Sequence, residues 1–140
     1  MQKNFWYVEG VGGVGGVWTK TVFRSELFDT EAEAVKYEKE NRLRILRAGA
    51  DWIFIRRHKD SVADVYREYV LFLYNLDPWL ICEAFDDEDE QEFAARVSVN
   101  MDIDSVEYDI EQTRELIDGD PDNMKVLDGF ARRIQALKRA

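Results

Sequence analysis

Five of the chain's eight glycines fall within seven residues, Gly10-Val11-Gly12-Gly13-Val14-Gly15-Gly16, and this cluster constrains the fold more than any other feature. Aromatic and β-branched runs at residues 4–9 and 17–23 flank it, and such residues favour extended backbone on a half-buried sheet. Glycine is a poor helix former, so no helix crosses the cluster. The pattern predicts a β-hairpin with a long, pliable glycine tip.

The same string has the spacing G-x-G-x-x-G-x-V, in which glycines let backbone N–H groups approach phosphates. In dinucleotide-binding folds those glycines open a helix, whereas Val17-Trp18-Thr19-Lys20-Thr21 reads as strand. A kinase-type loop suits the strand context, but 140 residues are too few for a kinase, and His58-Lys59-Asp60 lacks the downstream Asn and the metal-binding Asp. The plain reading is a hairpin tip. A small-ligand or nucleotide site built here would use Gly12, Gly13, Gly15 and Lys20, with Arg24 as a second base.

The rest of the chain predicts an α+β fold of antiparallel hairpins with packed helices and a C-terminal helical pair. Thr30 and Glu33 form a helix-start pattern for a helix reaching about Asn41. From Leu43 the alternation of Leu43, Ile45, Trp52, Phe54 and Arg56 predicts a second pair of strands, with the alternative that the helix continues to Arg47 and only 52–57 is strand. After Asp60 and Ser61, the positions Val62, Val65, Tyr66, Tyr69, Val70, Leu73 and Leu76 recur at helical spacing, although Val, Tyr and Phe leave a strand over 69–74 open. Residues 79–85 predict a short strand. Phe93, Ala95, Val97, Val99, Met101 and Ile103 alternate with polar residues as a strand would, leaving the acidic run 86–91 at a hairpin tip. Helices over about 105–117 and from Pro121 to Arg139 follow, the last presenting Leu127, Phe130, Ala131, Ile134 and Leu137 to the sheet. The whole reads as one domain, 1–140, with possible subdomains 1–59 and 60–140.

Charge narrows function further. The net charge of −10 is concentrated: residues 77–120 hold 16 acidic and 2 basic groups, whereas residues 1–60 hold 9 acidic and 11 basic. Such a segment repels phosphate backbones, which argues against direct binding to nucleic acid or an anionic membrane and for a basic protein partner. No apolar run is long enough to span a membrane, no signal core precedes a cleavage site, and a lone Cys82 cannot form an internal disulfide. These features predict a cytoplasmic protein.

No catalytic constellation emerges. His58, among Arg56, Arg57 and Lys59, reads as a surface residue. Cys82, between Ile81 and Glu83, reads as a buried small hydrophobe. Asp118, Asp120 and Asp122 match the start of a calcium loop, but Asn123 stands where the turn needs Gly and Gly129 where the closing Glu belongs, so no metal or other cofactor is expected. The expectation is therefore a non-enzymatic acidic protein that binds and inhibits a basic nucleic-acid-handling protein, the work of nucleic-acid mimics such as phage anti-defence inhibitors and nuclease immunity proteins. Asp86, Asp87, Glu88, Asp89, Glu90, Asp104, Glu107, Asp109 and Glu111 would supply the charge, with Phe85, Phe93 and Tyr108 as anchors. A structural or assembly subunit is the third reading.

Overall fold

The computed structural model describes residues 3–14, 18–76, 90–98, 101–117 and 120–139. The fold is α+β, with a three-stranded antiparallel sheet and five helices among the described residues. The chain divides into two compact units, Met1–Lys59 and Asp60–Ala140.

The first unit contains β1 (Asn4–Val14), β2 (Trp18–Arg24), α1 (Glu31–Arg47) and β3 (Trp52–Lys59), in sheet order β2-β1-β3. The β1–β2 hairpin is as expected, but β1 runs on through the glycines to Val14, with a bulge between Gly10 and Val11. The glycines are strand because α1 lies close against them. A Cβ on Gly10 would stand 2.7 Å from Ile45 Cγ2, and one on Gly12 would stand 2.6 Å from the Gly49 carbonyl oxygen. Glycine lets the Ile45 side chain settle on the strand at position 10 and lets backbone meet backbone at position 12.

Thr30 caps α1 by accepting from the Glu33 N–H at 3.2 Å, while its hydroxyl donates to the Glu33 carboxylate at 2.9 Å. The expected second pair of strands is not formed: Leu43 and Ile45 belong to α1, which runs to Arg47, and only β3 follows. Period-2 spacing at two residues also fits a helix, and Ala34 and Ile45 are the buried side chains that orient it. A Schellman turn ends α1: Gly49, at φ 106°, donates to the Leu46 carbonyl at 3.0 Å, and Ala50 donates to the Ile45 carbonyl at 3.4 Å. The core of this unit joins Val8, Ala34, Ile45 and Ala50, ringed by Trp6, Val22, Phe23, Phe28, Tyr37 and Ile53.

The second unit contains α2 (Val62–Leu76), α3 (Glu90–Ser98), α4 (Ile103–Leu116) and α5 (Pro121–Arg139). The helical reading of α2 holds, with Ser61 accepting from the Asp64 N–H at 3.2 Å. The strand expected over 93–103 is wrong: 90–98 are helical and Ile103 opens α4. Glu, Gln, Ala and Arg favour helix, and among the described side chains of this helix Ala94 and Ser98, four apart, are the buried ones. An acidic hairpin tip is thereby excluded at Glu90 and Gln91, which already belong to α3. The strand expected over 79–85, together with Asp86–Asp89 by number 86–89, lies outside the described residues.

Asp102 caps α4 by accepting from the Ser105 N–H at 2.8 Å. Asp120 caps α5, accepting from the N–H groups of Asp122 at 3.1 Å and Asn123 at 3.2 Å. Within this unit the stripe on α5 packs on α2 and α4; Phe130 meets Tyr69 edge-on at 5.9 Å and Phe72 at 5.9 Å. Val65, Tyr69, Val106, Ile110, Leu127, Phe130 and Ile134 complete this helical core. No helix among the described residues is long and apolar enough to cross a membrane.

Candidate functional site

Helix α4 sorts its side chains cleanly. Val106, Ile110 and Thr113 are buried, and the opposite stripe, Asp104, Tyr108, Glu111 and Glu115 with Leu116 beside it, faces solvent. Positions at i, i+4, i+7 and i+11 lie along one line of a helix, so these groups form a strip about 16 Å long at 1.5 Å per residue. Tyr108 is 64% exposed in its middle. A large aromatic left in water between carboxylates is a ready anchor for a protein surface.

The acidic residues expected to form the site have two different fates. Asp109 turns inward, where its carboxylate accepts from the Tyr66 hydroxyl at 3.0 Å and its carbonyl accepts from Tyr69 at 3.0 Å. Burial first, then the Asp109 carboxylate, push the Tyr66 phenol well above its ordinary range. Burial likewise pushes Tyr69 up to about 12, against the opposing hydrogen bond with Thr113. Glu107 is clasped by Gln135 and by Lys138, the latter at 3.1 Å. Lys138 also meets Asp104 at 3.0 Å, and the two carboxylates, Asp104 foremost, raise its pKa. Glu111 pairs with Arg114 at 3.3 Å, and Arg114 is held mainly by Asp128.

Asp109 ties α4 to α2, and Glu107 and Asp104 tie it to α5; Asp104 and Glu111 nevertheless stay exposed while paired with Lys138 and Arg114, and with Glu115 they make up the outward acidic strip. Glu115, absent from the expected set, sits on the same stripe and was legible from its spacing. Glu90 begins α3, and Asp86, Asp87, Glu88, Asp89, Phe85 and Cys82 lie outside the described residues.

A buried ion pair was not foreseen. Asp60 and Arg133, with side chains 5% and 11% exposed, meet at 3.2 Å and pin the start of α2 to α5. The neighbouring Ser61 supplies the cap of α2. Glu68 is also buried, on α2, and is held by a polar or ionic contact.

The glycine string has structural employment. Gly10 and Gly12 admit α1 and its turn, and the Gly13 N–H donates to the Asp51 carboxylate at 2.8 Å, a protein anion where a phosphate-binding loop would offer its N–H to ligand. Lys20 lies opposite Gly12 in the β1–β2 register, and Gly15 lies outside the described residues. Arg24 covers the Tyr7 ring at 4.1 Å. His58 is not the plain surface residue expected: it is half-buried and stacks on Tyr7 at 5.5 Å and against Phe5 at 5.5 Å. Register explains this, since Phe5 pairs directly with His58 across β1 and β3. Among the described residues no group of three His, Cys, Asp or Glu could hold a metal. Comparison with protein-family models, with curated proteins and with solved structures gives no match to this chain.

Proposed function

We propose that this protein is a non-enzymatic acidic binding protein whose α4 face docks on a basic nucleic-acid-handling protein and inhibits it. One observation carries the reading: Tyr108 stands exposed in line with Asp104, Glu111 and Glu115 on a helix whose other face is locked into a core. The rigid backing means little ordering entropy is lost on docking. Three carboxylates over about 16 Å are sparser than the phosphates of a duplex, roughly one charge per 1.7 Å. The aromatic anchor and the acids of 86–90 therefore share the work of affinity with α4. Inhibition follows because a basic surface occupied by this face is closed to nucleic acid.

The test is capture of partners from a cell lysate at about 0.1 M and about 1 M salt, where the screening length falls from roughly 10 to 3 Å. The reading expects a basic nuclease or nucleic-acid-binding protein retained at low salt, released at high salt, and inactive on nucleic acid while bound. A partner that is acidic, or one retained equally at both salts, refutes it.

A further inference from the structure

Five of the seven large apolar side chains exposed among the described residues lie between Leu43 and Ile55: Leu43, Leu46, Trp52, Phe54 and Ile55. Three of them, Trp52, Phe54 and Ile55, lie on β3, among the described residues an edge strand whose pairing with β1 is unbroken over eight residues, from Asn4 opposite Lys59 to Val11 opposite Trp52. Native edges are usually blunted by proline, by a bulge or by a central charge. Here the bulge lies on the β1–β2 side, and the first half of β3 is Trp52-Ile53-Phe54-Ile55.

The register assigns the flanks of this edge. Ile53, Ile55, Arg57 and Lys59 share the face of Val8 and Trp6, toward α1, whereas Trp52, Phe54 and Arg56 share the opposite face with Val11 and Glu9. On that second face Trp52 is 52% and Phe54 38% exposed, and Arg56 covers the Phe54 ring at 4.4 Å while bonded to Glu9 at 2.8 Å. Arg57 and Lys59 are exposed on the first face. The edge therefore offers Trp52 and Phe54 on one side, where Arg56 is paired with Glu9, and the cations Arg57 and Lys59 beyond Ile53 and Ile55 on the other, beside a row of backbone hydrogen-bonding groups.

We propose that the outer edge of β3 takes an extended peptide of a partner protein in which apolar and acidic residues alternate. An added strand presents its side chains to opposite faces with period two, so apolar residues meet Trp52 and Phe54 while carboxylates meet Arg57 and Lys59. Self-pairing of two β3 strands is disfavoured by charge, because β3 carries Arg56, Arg57 and Lys59 and no acid. This proposal is independent of the α4 face.

The experiment titrates the full chain with a fluorescent, end-blocked octapeptide alternating Glu and Val, long enough to span Trp52 to Lys59, with its Lys-for-Glu counterpart and with oligothymidylate, and follows backbone amide shifts by NMR. The account expects the Glu peptide to bind about tenfold more tightly than the Lys peptide, with shifts concentrated in β3. The exposed double substitution Arg57→Glu/Lys59→Glu, checked for retained fold by circular dichroism, should invert that preference. No binding of the Glu peptide, equal binding of both peptides, or shifts centred elsewhere overturns the proposal. So does oligothymidylate binding β3 more tightly than the peptide, or β3 shifts that track protein concentration alone together with a dimer in sedimentation, which would assign the edge to nucleic acid or to a second copy.

Discussion

Replacing Gly12 with alanine separates packing from ligand binding as the reason for the glycine string. The new methyl would stand 2.6 Å from the Gly49 carbonyl oxygen, where ordinary contact begins at 3.4 Å. The obstruction is backbone, held by the Schellman turn, so β1 or the turn must move by about 0.8 Å to restore contact. Overpacking of this kind costs about 1–3 kcal/mol, and the lost freedom of glycine in the unfolded chain returns about 0.5–1 kcal/mol. The expected net loss is about 1–2 kcal/mol, a fall in Tm of roughly 4–8 °C. Urea unfolding followed by circular dichroism measures it without any ligand. Gly10→Ala supplies an internal control, since its nearest obstruction is the Ile45 Cγ2 methyl: Ile45→Ala removes that methyl, and the double variant should be about 1 kcal/mol better than the sum of the two single losses. A Gly12→Ala protein as stable as the parent would refute the packing account and return the string to the ligand-binding reading.

Arg133→Met strands the nearly buried Asp60 carboxylate and should cost about 3–5 kcal/mol, whereas Asp60→Asn combined with Arg133→Met should recover most of that loss in the same unfolding assay. Tyr66 and Tyr69 have raised pKa values, so the neutral phenols favour the folded state: their contribution is complete below about pH 10 and is lost as pH climbs through the folded values, about 12 for Tyr69 and higher for Tyr66. Ultraviolet titration should show Tyr66 and Tyr69 ionising late, together with unfolding, and early ionisation of these two would contradict the burial assigned to them. Tyr108→Ala should leave stability within about 0.5 kcal/mol yet weaken capture of the basic partner by about tenfold or more, as loss of an aromatic anchor does.

The chemistry of helix ends was readable in advance. Thr30 with Glu33, and Pro121 after Asp120, each mark a start that the chain uses, because caps depend on a few adjacent residues. Alternation was the misleading signal. Leu43 with Ile45, and Phe93 with Ala95 and Val97, are spaced by two, but helix-forming Glu, Lys, Arg and Ala around them and burial at i, i+4 decided for helix. The glycines were read as a tip because a sequence does not reveal that α1 returns over them. For the same reason the acids of α4 could be counted but not sorted: Asp109 and Asp104 look alike until Tyr66 and Lys138 are placed beside them. The Asp60–Arg133 pair, 73 residues apart, depends wholly on how α5 packs on α2.

The central claim is that the outward strip of α4 binds a basic partner. Its most direct measurement compares lysate capture by the parent chain with capture by a Glu111→Lys/Glu115→Lys variant of equal stability, at about 0.1 M salt. The account predicts that the variant loses the basic partner while the parent retains it, and equal capture by the two chains would contradict it.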